Sequence, residues 1–258
     1  MHGADEEDDV NRRYFVEYVK RVAAPGARVL DYGCGDGTLT RMLQNAGFDA
    51  YGCDVRWPGA SYGWDEASAG AKLQYFESGG RLPFEDDFFD VVVSDQVFEH
   101  VEPLHASVAE IERVTRPDGV MYHHFPTAEV WREGHIGIPF AHRLPTGRLR
   151  LRYATLLRSL GIGIYKDERP PREWAEEKLR WIDEWTVYRR PVEIHQVFGR
   201  HADITHREID YCRFRARGRG PLETLLARPW AAPAAQFALR HLAFMAIECR
   251  PRVAAARA

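Results

Sequence analysis

The sequence has no C-x-x-C pair, no H-x-x-x-H, no internal repeat and no low-complexity tract. Its four cysteines, Cys34, Cys53, Cys212 and Cys249, are scattered along 258 residues. That spacing argues against a disulfide framework or a thiolate metal knuckle and suits reduced thiols in a cytoplasmic protein. No apolar run reaches the length of a membrane span. The stretch Met1 to Asp9 is acidic and lacks the apolar core of a signal peptide, so it is expected to be a disordered lead-in. Net charge is only -3. No global field favours nucleic acid, and no nucleic-acid partner is expected. The histidines show no tight ligand spacing, so no metal is expected either. The length suffices for one full core with room for an insertion.

What the sequence does have is a glycine loop. Ala27 to Leu30 reads as a short strand, followed by Asp31-Tyr32-Gly33-Cys34-Gly35-Asp36-Gly37. Thr38 to Ala46 then reads as a helix, with Leu39, Met42, Leu43 and Ala46 on one face. Strand, glycine loop and helix form the nucleotide-binding opening of an open α/β sheet. Glycines let the backbone approach a ligand where a Cβ would clash, and a helix start offers unpaired N–H groups. A dinucleotide loop reads G-x-G-x-x-G. Here the third glycine, Gly37, comes one position early, and Asp31 and Asp36 would set negative charge beside a phosphate. The loop suits a ligand that carries a cation and no phosphate, and a dehydrogenase is a distant alternative.

Two further stretches complete a pattern. Asp49 to Val55 reads as a strand whose acid, Asp54, falls 17 residues after Gly37, close to where such sheets place an acceptor for ribose hydroxyls. Leu82-Pro83-Phe84-Glu85-Asp86-Asp87-Phe88-Phe89-Asp90 leads into a valine-rich strand, Phe89 to Ser94, and then Glu99-His100-Val101. Together, residues 27–126 resemble the class I (Rossmann-like) S-adenosylmethionine (SAM)-dependent methyltransferases of the methyltransferase-11 type. The resemblance implies SAM as cofactor, bound by Asp31, Gly33, Cys34, Gly35, Gly37, Asp54, Val55, Ser78, Asp95 and Gln96. Glu77 is an alternative to Ser78 at the adenine, because the acid the family often carries there aligns loosely. The fold implied is α/β: a doubly wound, mostly parallel seven-stranded sheet whose last two strands form an antiparallel end.

The rest of the sequence fits that frame with two departures. Val10 to Ala23 is an amphipathic helix, with Tyr14, Phe15, Tyr18, Val19 and Val22 on one side, expected to pack on the sheet and cover the cofactor edge. Strand three is placed at Leu73 to Glu77, after a loop with a short helix between Arg56 and Gly70. A helix carrying Leu104, Val108, Ile111 and Val114 is stopped by Arg116-Pro117-Asp118-Gly119, and strand five is Val120 to Phe125. Residues 1–126 thus form the first part of the core. Thr127 to Val187 does not fit the next helix–strand unit and reads as an inserted, mainly helical cap with helices at Arg148–Leu160 and Arg172–Glu184. Residues 188–258 return to the core with a helix at Pro191–Arg200, a strand at Ala202–Tyr211 and a strand near Phe244–Cys249. A helical insertion near 218–241 separates those two strands.

The chemistry expected is in-line methyl transfer to a hydroxyl oxygen of a sugar, glycan or other small hydroxylated metabolite, with a histidine taking the proton. The ranking is His135, His142, then His100. The first two lie in Trp131 to Pro145, whose E-x-H and P-x-x-H-x-x-P pattern looks like a segment of methyltransferases from bacterial polysaccharide and glycan clusters. His123 and His124 are adjacent on strand five, so only one can point to a given face. Arg213, Arg215, Arg217 and Arg219 beside Leu222, Leu225, Leu226 and Trp230 read as a solvated arginine face. Contact with a membrane surface is the alternative. A SAM-fold binding protein or partner subunit without turnover is the competing function.

Overall fold

The computed structural model describes residues 2–56, 72–228, 230 and 232–252, with side chains from Asp9 onward. The expected loop and short helix between Arg56 and Gly70 fall largely outside these residues.

Seven strands form one sheet in the order β3-β2-β1-β4-β5-β7-β6. They are β1 Arg28–Tyr32, β2 Asp49–Val55, β3 Leu73–Phe76, β4 Phe89–Asp95, β5 Thr115–Phe125, β6 Ala202–His206 and β7 Met245–Pro251. The pairs among β1 to β5 are parallel, while β7 runs antiparallel to both β5 and β6. The central strands are buried on both faces, which explains their valine and leucine content.

Helices cover the two faces. On one lie α1 (His2–Val22) and α2 (Thr38–Asn45), where Tyr14, Phe15, Tyr18 and Leu43 pack with Val29, Val91 and Tyr122. On the other lie α3 (Leu104–Val114) and α6 (Pro191–His201), whose Val108, Ile111, Ile194 and Phe198 pack on Leu30, Val92 and Phe125. Between β5 and α6 come α4 (Arg148–Ser159) and α5 (Pro171–Trp185), within a residue of the helices expected for the insertion. This segment has a small core of its own around the fully buried Trp174, with Ile136, Ile138, Ala154 and Leu179.

Several boundaries differ from the sequence reading. The first helix begins at His2, taking in the stretch expected to be disordered. Among the described residues lining the large cavity introduced below, none comes from α1. Arg116 to Gly119 do end α3, but they enter β5 through a register shift opposite Phe89 and Val91, where Pro117 has no N–H to give a ladder. The strand expected over Ala202–Tyr211 stops at His206. Glu208–Ala216 is a helix, α7, with Glu208 and Asp210 in its first turn and Arg213 and Arg215 in its last, the arrangement its dipole prefers. Two short helices, α8 (Pro221–Leu226) and α9 (Ala232–Leu242), then lead to β7.

Candidate functional site

The glycine loop is shaped by what it must avoid. Gly33 and Cys34 both donate their N–H groups to the Cys53 carbonyl, at 2.8 and 3.1 Å, which folds the loop back over β2. Gly33 has φ +76°, and a Cβ there would lie 2.4 Å from Val97 Cγ2. Gly35 is also left-handed, at φ +54°, but its vacant side meets nothing within 4 Å. One glycine is thus required by packing and the other leaves open space.

That space belongs to a cavity of about 870 Å³ at the carboxyl ends of the strands, the side of an open α/β sheet where ligands bind. Gly33, Gly35, Asp54 and Val55 line it. The Asp54 carboxylate is held by N–H donation from Gly35 and Val55, each at 2.7 Å. Burial raises its pKa, and these two hydrogen bonds partly offset the rise. Each oxygen keeps a lone pair free for a further donor. Glu77 and Ser78 sit on the exposed rim, as does Gln96, whose φ of +55° is uncommon for a residue with a side chain. The open face at Gly35, the fixed acceptor at Asp54 and the acceptors at Glu77 and Ser78 fit an adenosine-bearing ligand with donors on its ribose and base.

Four residues that the family resemblance assigned to the cofactor are absent from the cavity wall. Asp31 is 2% exposed, and its carboxylate accepts from Thr40 Oγ1 at 2.8 Å. Burial pushes it up to about 7, with Asp54 and Asp95 adding to the rise. Cys34 is buried, which raises its thiol pKa. Gly37 precedes the first turn of α2 at φ +76°. Asp95 accepts from His124 Nδ1 at 3.0 Å. All four shape the loop and strand ends behind the wall.

The opposite wall comes from the start of the segment after β4 and from the end of α5: His100 and Val101 on one side, Glu184, Trp185 and Val187 on the other. The three histidines ranked from sequence converge here. His100 donates through Nδ1 to the Trp185 carbonyl at 2.6 Å. His135 places Nδ1 2.8 Å from Glu133 Oε1 and 3.1 Å from the Tyr188 hydroxyl. The two Nε2 atoms face each other at 3.2 Å. The His142 ring centre is 4.8 Å from that of Tyr188. Of these three, His100 is the one that lines the cavity; His135 meets it through Nε2 and His142 lies against Tyr188, so the placement does not follow the sequence order of His135, His142, His100.

Electrostatics keep this cluster unusual. Burial, with His135 alongside, pushes His100 down to about 4. Burial would raise Glu133, but hydrogen bonds from His135, Tyr188 and the Ile136 N–H outweigh it and hold the carboxyl below its ordinary value. Glu99 is 1% exposed, and its pKa is raised well above the carboxylate range by burial and by Asp95 and Glu133 nearby. Ligand atoms from Glu99, His100 and His135 lie within 4.8 Å of one another, so the fold assembles a possible cation-binding set that no local spacing announced. His123 and His124 point to opposite faces, one against Phe98 and Phe198, the other against Tyr211 and Phe244.

Sequence reasoning missed Glu184, Trp185, Val187 and Tyr188. Glu184, Trp185 and Val187 fell inside the segment read as a cap and Tyr188 just after it, but nothing in their local spacing says which side chain turns inward. Glu99 was visible in the Glu99-His100-Val101 tripeptide but carried no assigned role.

Residues 30–123 match a protein family described as a methyltransferase domain. The chain is 37% identical over 99 residues to the demethylmenaquinone methyltransferase of Beutenbergia cavernae, covering 38% of this chain and 40% of that protein. It is 31% identical over 108 residues to the ubiquinone biosynthesis O-methyltransferase of Aromatoleum aromaticum, covering 38% and 43%. The chain therefore spans about two fifths of the length of these relatives. Among solved structures, a chain of the complex between the Haloferax volcanii Trm112 methyltransferase activator and a methyltransferase superposes with a TM-score of 0.50 at 16% identity. That match covers 97% of this chain and 94% of that one, and at such identity it shows the fold.

Proposed function

We propose that this chain, whose core is a class I SAM-dependent methyltransferase domain, transfers a methyl group to a hydroxyl oxygen of a small acceptor. The observation that carries this is a single cavity, with Gly33, Gly35 and Asp54 on one wall and His100 and Trp185 on the other. When bound, SAM supplies a methyl on a sulfonium whose leaving group is a neutral thioether.

The residues divide the remaining work. Gly33 and Gly35 present backbone to the cofactor, Asp54 accepts from the ribose hydroxyls, and Glu77 or Ser78 meets the adenine. Glu184, Trp185 and Val187, supported by the Trp174 core, close the acceptor side, which makes 127–187 the specificity-setting cap. A hydroxyl is a poor nucleophile until its proton leaves. His100, unprotonated at neutral pH because burial depresses it, is positioned with His135 to promote that loss. Relatives named as O-methyltransferases of ubiquinone biosynthesis support an oxygen acceptor. A sugar hydroxyl remains within the same chemistry.

The test is SAM turnover with mass detection across phenols, catechols, sugars and lipid-linked glycans. A methylated product from a hydroxylated acceptor is expected. Cofactor binding without product from any acceptor class would favour a binding or partner subunit instead.

A further inference from the structure

We propose that Glu99, His100 and His135 hold a divalent cation of the zinc type at the acceptor end of the cavity.

The argument begins with where the imidazole protons must sit. His100 Nδ1 faces a backbone carbonyl, Trp185 O, at 2.6 Å, and a carbonyl only accepts. His135 Nδ1 faces Glu133 Oε1 at 2.8 Å. The Tyr188 hydroxyl also donates to that carboxylate, at 2.5 Å, so the Tyr188 oxygen can accept but has already given its proton. Both rings therefore carry hydrogen on Nδ1, and in the neutral form both Nε2 atoms present lone pairs. Those lone pairs point at each other across 3.2 Å. Glu99 adds a carboxylate oxygen 4.0 Å from His100 Nε2. Neither Glu99 oxygen meets a donor from another described residue, although the side chain is 1% exposed. Three atoms that can present lone pairs thus converge in a buried place with Glu133 and Asp95 nearby. Glu99 relieves this by holding a proton when the place is empty, and a cation there would displace that proton and take its position.

The spacing selects the charge. Two ligands about 2.0–2.1 Å from a tetrahedral zinc lie roughly 3.3 Å apart, close to the 3.2 Å between the imidazoles. Glu99, with an oxygen 4.0 Å from His100 Nε2 and within 4.8 Å of the other ligand atoms, completes a His-His-Glu set, a donor combination that suits zinc and leaves a fourth position open. The surroundings supply what metal-binding histidines usually have: a carboxylate on the far nitrogen of one ring and a carbonyl on that of the other. Glu133 is itself fixed by the Ile136 N–H at 2.7 Å. Because His100 lines the cavity, the open position is available to an acceptor hydroxyl, whose pKa the cation would lower. This catalytic consequence rests on the methyl-transfer reading, whereas cation binding does not.

The experiment uses the full chain, stripped with a chelator and titrated with Zn²⁺ by calorimetry, with metal content read by mass spectrometry. One equivalent is expected. Glu99→Gln and His135→Ala should each weaken binding by more than about 100-fold. Glu133→Gln, which only orients His135, should weaken it about 10–100-fold. S-adenosylhomocysteine affinity, unchanged across the set, confirms that the variants fold. The proposal is overturned if the stripped parent binds no more Zn²⁺ than His100→Ala/His135→Ala while both bind S-adenosylhomocysteine alike. Turnover is recorded in parallel. Zinc binding with no methylated product supports the cation site and removes the methyl-transfer reading. Turnover indifferent to chelation, together with no zinc binding, does the reverse.

Discussion

The Gly35 N–H donates to the Asp54 carboxylate across 2.7 Å, joining the glycine loop to the end of β2. This bond fixes the acid proposed to receive the ribose hydroxyls and also ties down the loop. Asp54→Ala removes both effects. Its expected cost in S-adenosylhomocysteine affinity is on the order of 1–3 kcal/mol, measured by calorimetry. Unchanged affinity would place the ribose elsewhere.

Gly33 and Gly35 should respond differently to alanine. At Gly33 the new Cβ meets Val97 at 2.4 Å in a left-handed conformation, and the fold should lose about 1–3 kcal/mol by urea unfolding. At Gly35 there is no neighbour to strike. Gly35→Ala should cost only the left-handed penalty of about 1–2 kcal/mol and should lose most in cofactor affinity.

His100→Ala should lower turnover about 10²–10⁴-fold with cofactor affinity nearly unchanged. Turnover within a few-fold of the parent would remove His100 from proton loss. His142→Ala, at a residue that does not line the cavity but lies against Tyr188, should have the smaller effect.

Acid should destabilise the fold through His123. Burial pushes this histidine down to about 3 in the folded state, against about 6.5 unfolded. The unfolded chain therefore binds the extra proton first. The stability that His123 contributes is fully present above about pH 6.5 and is lost as pH falls from there toward about 3. At pH 5 the loss is about 2 kcal/mol. His123→Phe should flatten urea midpoints between pH 7.5 and 5, and an unaltered slope would assign the acid response to other groups.

Trp174→Ala should cost about 3–5 kcal/mol within the inserted segment, since the ring is fully buried and its Nε1 donates to the Tyr165 carbonyl at 3.1 Å. If that segment sets acceptor specificity, the variant should keep cofactor binding while turnover falls. Loss of both together would show that the segment and the core unfold as one.

The first half of the chain was legible because its signals are local. The valine run of β4, the glycines after β1 and the leucine spacing of α2 each report on their own neighbourhood. Glu208 to Tyr211 was read as the end of a strand because Ile209 and Tyr211 stand either side of a polar residue, a short pattern that a helix turn burying Glu208, Ile209 and Tyr211 also satisfies. The histidine cluster was half visible. Residue type named His100 and His135, but their meeting depends on a contact across 35 positions. The role of Asp31 shows the limit of motif transfer, since its carboxylate serves Thr40 inside the protein.

The order of β7 in the sheet has a consequence for how the chain is made. It lies between β5 and β6 although it follows both in sequence. While the ribosome is still delivering residues up to Leu242, β5 has an open edge and β6 has no strand beside it. The glycine loop and Asp54 can already be in place, because β1, β2 and β4 do not need β7. When β7 enters, it pairs with both neighbours and brings Glu248 to the Tyr18 hydroxyl at 3.0 Å, linking the last strand to the first helix. A nascent chain halted before Met245 should therefore already carry the cofactor wall while its unfilled edge is exposed to chaperones and to other copies of itself.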